Sequence, residues 1–82
     1  LVFYTKKNCL LCDEVYLLLE LLSLEYAFEL EVIDIYEDES FLEKYHMIIP
    51  VVKIGEAECF GESLTYQQLE AALRSEIKDQ EN

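Results

Sequence analysis

Leu1-Val2-Phe3-Tyr4-Thr5-Lys6-Lys7-Asn8-Cys9-Leu10-Leu11-Cys12-Asp13-Glu14 is the stretch whose reading decides the fold of this chain. Its first five residues are β-branched, aromatic or leucine without alternation of polarity, the pattern of a short strand buried on both faces. Lys6-Lys7-Asn8 breaks that run, and from residue 9 to residue 24 strong helix formers continue without glycine or proline. A strand that turns directly into a helix, with two cysteines at the junction, marks the start of an α/β unit.

Outward from that junction, Asp13, Glu14 and Glu20 form a narrow polar stripe on the helix. Val15, Leu18, Leu19 and Leu22 recur at i, i+3, i+4 and i+7 and should pack on a sheet. Leu17, Leu21 and Leu24 are left over; burial under neighbouring elements is expected for them, with a partner surface as the alternative. Residues 28–35 alternate at first and then become apolar, so they read as a second strand. Asp38 or Ser40 can cap a short helix running to about Tyr45. Residues 48–54 form a third strand with Pro50 near its start, where a missing N–H is tolerated. Gly55-Glu56 is a tight turn into a fourth strand at 57–60. Thr65 with Gln68 makes a capping box for a last helix, whose buried face is Leu69, Ala72, Leu73 and Ile77. The order βαβαββα predicts an α/β fold: a four-stranded mixed sheet with three helices, one parallel pair joined by a right-handed crossover and then a hairpin.

Eighty-two residues suit a single domain, 1–82, with one core. Eighteen acidic against six basic residues leave a net charge of −12, a field that repels phosphate backbones and anionic lipid. Neither nucleic acid nor a membrane surface is therefore an expected partner, and a monomer is expected. The apolar run 15–24 is interrupted by Glu20 and falls short of the roughly 20 residues of a membrane span. No secretory signal is expected, because the chain opens with strand-like residues. Three cysteines cannot all pair internally, which argues for a reducing compartment, the cytoplasm.

The pair Cys9-Leu10-Leu11-Cys12 carries the chemistry. Positions i and i+3 share one side of a helical turn, so the sulfurs can approach the roughly 2.05 Å of a disulfide. The free N–H groups and positive dipole end of the helix favour the thiolate, the reactive form. Cys9, nearer to Lys6 and Lys7, is the expected nucleophile, and Cys12, one turn further in, the resolving thiol. Lys6 and Lys7 favour the Cys9 thiolate while Asp13, Glu14 and the net charge oppose it; Leu10 and Leu11 supply no donor, so a reducing poise is expected. The same motif serves as half of a zinc or iron-sulfur site, for which Cys59 is the only other cysteine and His46 the only histidine. It can also be an inert core pair. No metal ligands are assigned.

The run from Tyr4 to Glu14 resembles the active-site segment of glutaredoxin-like proteins of the thioredoxin-fold superfamily, including a small bacterial group whose second cysteine precedes Asp-Glu. Similarity continues through Val32-Ile33-Asp34-Ile35, the acidic turn, residues 42–45 and Ile49-Pro50-Val51-Val52. The resemblance implies a thioredoxin-like fold and electron transport by a thiol-disulfide oxidoreductase, with Cys9 and Cys12 catalytic. In that family the proline is cis and faces the dithiol, which implies that Ile49 and Pro50 present backbone to an extended substrate. The lysine matching Lys6 contacts a glutathione carboxylate there, and Gly61 and Ser63 would offer backbone N–H groups at the start of the last helix. Lys7 replaces a common proline, Leu11 a common aromatic residue, and Phe60-Gly61-Glu62-Ser63 stands where the family has Gly-Gly-x-Asp. No bound cofactor is implied, and the electron donor is either glutathione or a thioredoxin-reductase type of protein.

The reading is reversible exchange with a disulfide-containing protein or small molecule through a mixed disulfide. Its rivals are a redox-inactive interaction module on the same fold and a metal or Fe-S binding protein. Cys59 is expected as buried packing rather than a regulatory thiol, His46 as a cap or surface residue. Tyr4, Tyr26, Tyr36 and Phe41 are expected as core or rim aromatics, and residues 37–39 as a solvated acidic run.

Overall fold

The computed structural model describes residues 1–80, with side chains to Lys78; Glu81 and Asn82 of the expected domain lie outside the described residues. In chain order the elements are β1 (Val2–Thr5), α1 (Leu10–Ser23), β2 (Glu31–Asp34), α2 (Glu39–Tyr45), β3 (Val51–Ile54), β4 (Ala57–Phe60) and α3 (Tyr66–Gln80). Short 3-10 turns at Ile35–Glu37 and Gly61–Ser63 follow β2 and β4. The sheet order is β2-β1-β3-β4, with β1 and β2 parallel and the other two pairs antiparallel. This is the thioredoxin-like arrangement of a four-stranded mixed sheet and three helices, as expected.

β1 lies centrally, and its alternation puts Phe3 and Tyr4 on opposite faces, both buried. On the Phe3 side α1 and α3 close one core, in which Val15, Leu19, Leu22, Leu69 and Leu73 pack with Phe3, Val52 and Ile54. Full burial of each such side chain contributes about 1.5–3 kcal/mol. On the Tyr4 side α2 closes a smaller core of Tyr4, Ile35, Tyr45 and Val51. The Tyr4 and Tyr45 rings stack at 4.2 Å, and Phe41 tilts against Tyr4 at 5.3 Å.

Each element ends for a local reason. Asp38 caps α2 by accepting the Ser40 N–H at 2.8 Å, and Thr65 Oγ1 accepts the Gln68 N–H at 3.2 Å at the start of α3. Gly55 makes the two-residue β3–β4 turn at φ +60°, and the Glu76 carboxylate fills the space that a Cβ there would need. Hydroxyl donors tie the turn after α1 to α3: Tyr26 to Glu70 at 2.9 Å and Tyr66 to Glu25 at 3.2 Å.

Four expectations are corrected. β2 covers only Glu31–Asp34, because β1 offers four partners, from Val2 opposite Glu31 to Thr5 opposite Asp34. β3 starts at Val51, since Ile48 and Ile49 donate their N–H groups to the Tyr45 carbonyl instead of to a neighbouring strand. Leu17, Leu21 and Leu24 are not covered; they are 60%, 51% and 80% exposed on the outer face of α1. Tyr36 is exposed, beyond the small core that holds Tyr4 and Phe41.

Candidate functional site

The dithiol sits where the chain passes from β1 into α1. Asn8 takes a left-handed conformation, φ 56°, that asparagine tolerates better than most residues. Cys9 is then extended at the N-cap, φ −124° and ψ 103°, and its Sγ accepts the Cys12 N–H at 3.1 Å. The cap that serine or aspartate usually supplies is here a sulfur, so one free amide at the positive end of the helix points at the reactive atom. Cys9 and Cys12 are joined in a disulfide with a Cα–Cα distance of 5.2 Å. Cys12 is 1% exposed and belongs to the larger core, whereas Cys9 is only partly buried. Solvent and partners therefore reach the bridge from the Cys9 side.

Along α1, starting at Leu11, runs a groove of about 450 Å³ that neither cysteine lines. One wall comes from α1: Leu11, Glu14, Val15 and Leu18. Met47 to Pro50, with Phe60, Gly61 and Leu64, complete its lining. The Ile49–Pro50 peptide is cis.

Of the site residues expected from sequence, the groove gathers Ile49, Pro50 and Gly61 with Leu11, which precedes Cys12. Lys6 is elsewhere: it lines a separate depression with Lys7, Asn8, Asp34, Tyr36 and Glu37. Ser63 does not line the groove, although Gly61 and Leu64 on either side of it do. The backbone at Ile49 and at Gly61 is partly engaged within the fold. The Ile49 N–H already donates to the Tyr45 carbonyl at 3.0 Å, so this donor is not free to pair with an extended substrate. Gly61 and Ser63 belong to their own 3-10 turn, closed by the Leu64 N–H on the Gly61 carbonyl at 3.2 Å. α3 begins after them at Tyr66, with Thr65 as its cap, so neither residue opens that helix.

Met47 and Leu64 were not singled out in the sequence, and Glu14 and Phe60 were not read there as groove residues. For Phe60 a signal existed: along β4 Cys59 points into the larger core, so its neighbour must face away, and a phenylalanine left 45% exposed calls for a use. Met47 follows α2 in a turn, where no periodicity could mark it.

Cys59 is buried and unpaired, and burial pushes its thiol pKa up. His46 is exposed at the C-cap of α2. Among the described residues no three or more His, Cys, Asp and Glu side chains are gathered so as to hold a metal ion, and no helix is long and apolar enough to cross a membrane.

The family described as Glutaredoxin-like domain (DUF836) matches residues 1–74, and the chain belongs to it. No curated protein and no solved structure matches the chain. Family, fold and the bridged cysteine pair together indicate a redox type of function.

Proposed function

From membership of the glutaredoxin-like family, we propose that the protein is a thiol-disulfide oxidoreductase. In the reduced state the Cys9 thiolate attacks one sulfur of a substrate disulfide. The substrate S–S bond breaks, a mixed disulfide forms, and the departing sulfur leaves as a thiolate that takes up a proton. Cys12, deprotonated, then attacks the Cys9 sulfur, releasing the second substrate thiol and closing the Cys9–Cys12 bridge. Two electrons pass to the substrate, and a dithiol or two thiols of an external reductant restore the starting state.

One observation carries this reading: the bridged pair at the N-terminus of α1, with Cys9 Sγ accepting the Cys12 N–H, Cys9 reachable and Cys12 sealed. This asymmetry supports attack by the first thiol and resolution by the second. Ile49, Pro50 and Gly61 are the proposed substrate contacts, since they border the groove with Leu11, one of the two residues between the cysteines.

Intact mass before and after mild reduction is the test. The mass should rise by about two daltons, reversibly, for the two hydrogens gained. Cys9→Ser should abolish turnover of a small disulfide, and Cys12→Ser should accumulate the mixed disulfide. A pair that never re-forms its bridge, or turnover that survives Cys9→Ser, would refute the proposal. The rival reading, an interaction module without turnover, draws on the exposed leucines of α1 and predicts bridging without catalysis.

A further inference from the structure

The groove differs from what a small anionic thiol needs. Glutathione carries two carboxylates and one ammonium, so a site for it must offer cationic or N–H partners at its ends. Here the one charged residue on the groove walls is a carboxylate, Glu14, and the remaining lining is almost wholly apolar. None of the six basic residues takes part. Lys6 and Lys7 share the other depression with Asp34 and Glu37. Lys44 pairs with Glu58 at 3.7 Å, Lys53 lies within β3, and Arg74 and Lys78 border a third depression near Tyr26. The net charge of −12 adds a field that disfavours any anion. Of the backbone donors near the groove, the Ile49 N–H is already bonded to the Tyr45 carbonyl.

Resting on the oxidoreductase reading, we propose that the groove selects the substrate disulfide: a protein segment apolar around its half-cystine and carrying a lysine or arginine that meets Glu14, with glutathione a poor occupant. Size agrees, because about 450 Å³ falls within the range of sites that enclose several side chains. Chemistry agrees too. Leu11, Met47 and Phe60 are 62%, 82% and 45% exposed, so a partner's apolar side chains would cover surface that the fold leaves in water. Glu14 on the same wall then asks for a cation. The occupant is peptide, since an apolar cationic half-cystine flanked on both sides is not a feature of small physiological thiols.

The test uses the reduced protein, regenerated with dithiothreitol, and five disulfides, a Ser-Cys-Ser analogue among them. The first is bis(2-hydroxyethyl) disulfide, small and uncharged. The second and third are mercaptoethanol-capped peptides with a Leu-Cys-Leu centre and either a lysine or a glutamate beyond it. Glutathione disulfide is the comparison. The lysine peptide should exceed the glutamate peptide in kcat/KM by about fivefold at low salt, shrinking as salt is added, as expected for a partly exposed charge pair. It should also exceed a Ser-Cys-Ser analogue by about tenfold. In Glu14→Lys the order of the two charged peptides should reverse. That ratio cancels any effect of residue 14 on the thiolate itself. Equal rates for the two peptides, an order unchanged in Glu14→Lys, or glutathione disulfide matching the best peptide would each overturn this inference. If neither the hydroxyethyl disulfide nor any of the peptides is turned over, the oxidoreductase reading has failed, and the substrate preference falls with it.

Discussion

At position 59 a thiol lies inside the larger core, on β4 opposite Val52, with no sulfur partner. Burial raises its pKa above the ordinary 9.0 by penalising the thiolate. In the folded protein it is therefore protonated and shielded at neutral pH, while a reduced Cys9 faces solvent. Iodoacetamide applied to the reduced native protein should label Cys9 first, and Cys59 at least about tenfold more slowly than in the unfolded chain. Labelling of Cys59 as fast as Cys9 would show that the thiol is not sealed. The pH dependence has a definite sign. The folded thiol holds its proton more tightly than the unfolded one, so its contribution to stability is complete below the ordinary pKa of 9.0 and declines as pH rises beyond it. Cys59→Ala should make the alkaline loss of stability, followed by urea midpoints from pH 8 upward, shallower than in the parent. Both the burial of this residue and its lack of a partner were legible in the sequence, because it sits in a short strand beside Glu58 and the other two cysteines pair with each other.

Among the elements, α2 shows how much local chemistry can fix and where it stops. Its start was readable from Asp38 followed by Ser40, and the structure uses both: Asp38 accepts the Ser40 N–H at 2.8 Å and the Ser40 hydroxyl at 2.6 Å. These bonds to Ser40 hold the Asp38 carboxyl below its ordinary pKa of 3.8. A depressed folded pKa means that the stabilisation is present above pH 3.8 and is lost as pH falls through the lower folded value. Asp38→Asn keeps an acceptor but cannot titrate, so its melting temperature should fall less steeply between pH 5 and pH 3 than the parent's; parallel curves would mean that the cap carries no linkage. Asp38→Ala should lower the melting temperature at both pH values by removing the cap itself. Strand ends were less legible than this helix start. Residues 28–30 carry strand-like side chains, and Phe28 and Leu30 do pack partly against the larger core. They stay outside β2 because strand length depends on the neighbour, and β1 has only four residues to offer. The groove was legible only at Ile49, Pro50 and Gly61, through the family resemblance. Leu11, Glu14, Met47, Ile49 and Phe60 come from three distant segments that only the sheet topology brings together.

Over the whole molecule, the feature that periodicity detected but could not assign is the outer face of α1. Leu10, Leu17, Leu21 and Leu24 follow one another at i, i+7, i+11 and i+14, hence on one side of the helix, and all are at least half exposed. The sequence showed more leucine than one sheet face can bury; that nothing covers the excess depends on where α3 packs, and α3 lies against the inner side of α1. Such a stripe should favour association, yet a net charge of −12 on a chain of 82 residues opposes it by mutual repulsion. The balance between them is set by pH. At pH 7.5 and low salt the charge should dominate, and sedimentation velocity should give a single species at the monomer mass. Towards the isoelectric point, about 4.2, the carboxylates take up protons, repulsion vanishes and the apolar contact remains. Weight-average mass should then rise as pH is lowered towards 4.5, and the double substitution Leu17→Gln and Leu21→Gln, which leaves the net charge unchanged, should suppress most of that rise. If parent and double variant associate alike, the contact lies elsewhere on the surface. If the parent is already dimeric at pH 7.5, apolar attraction outweighs the repulsion that this charge supplies.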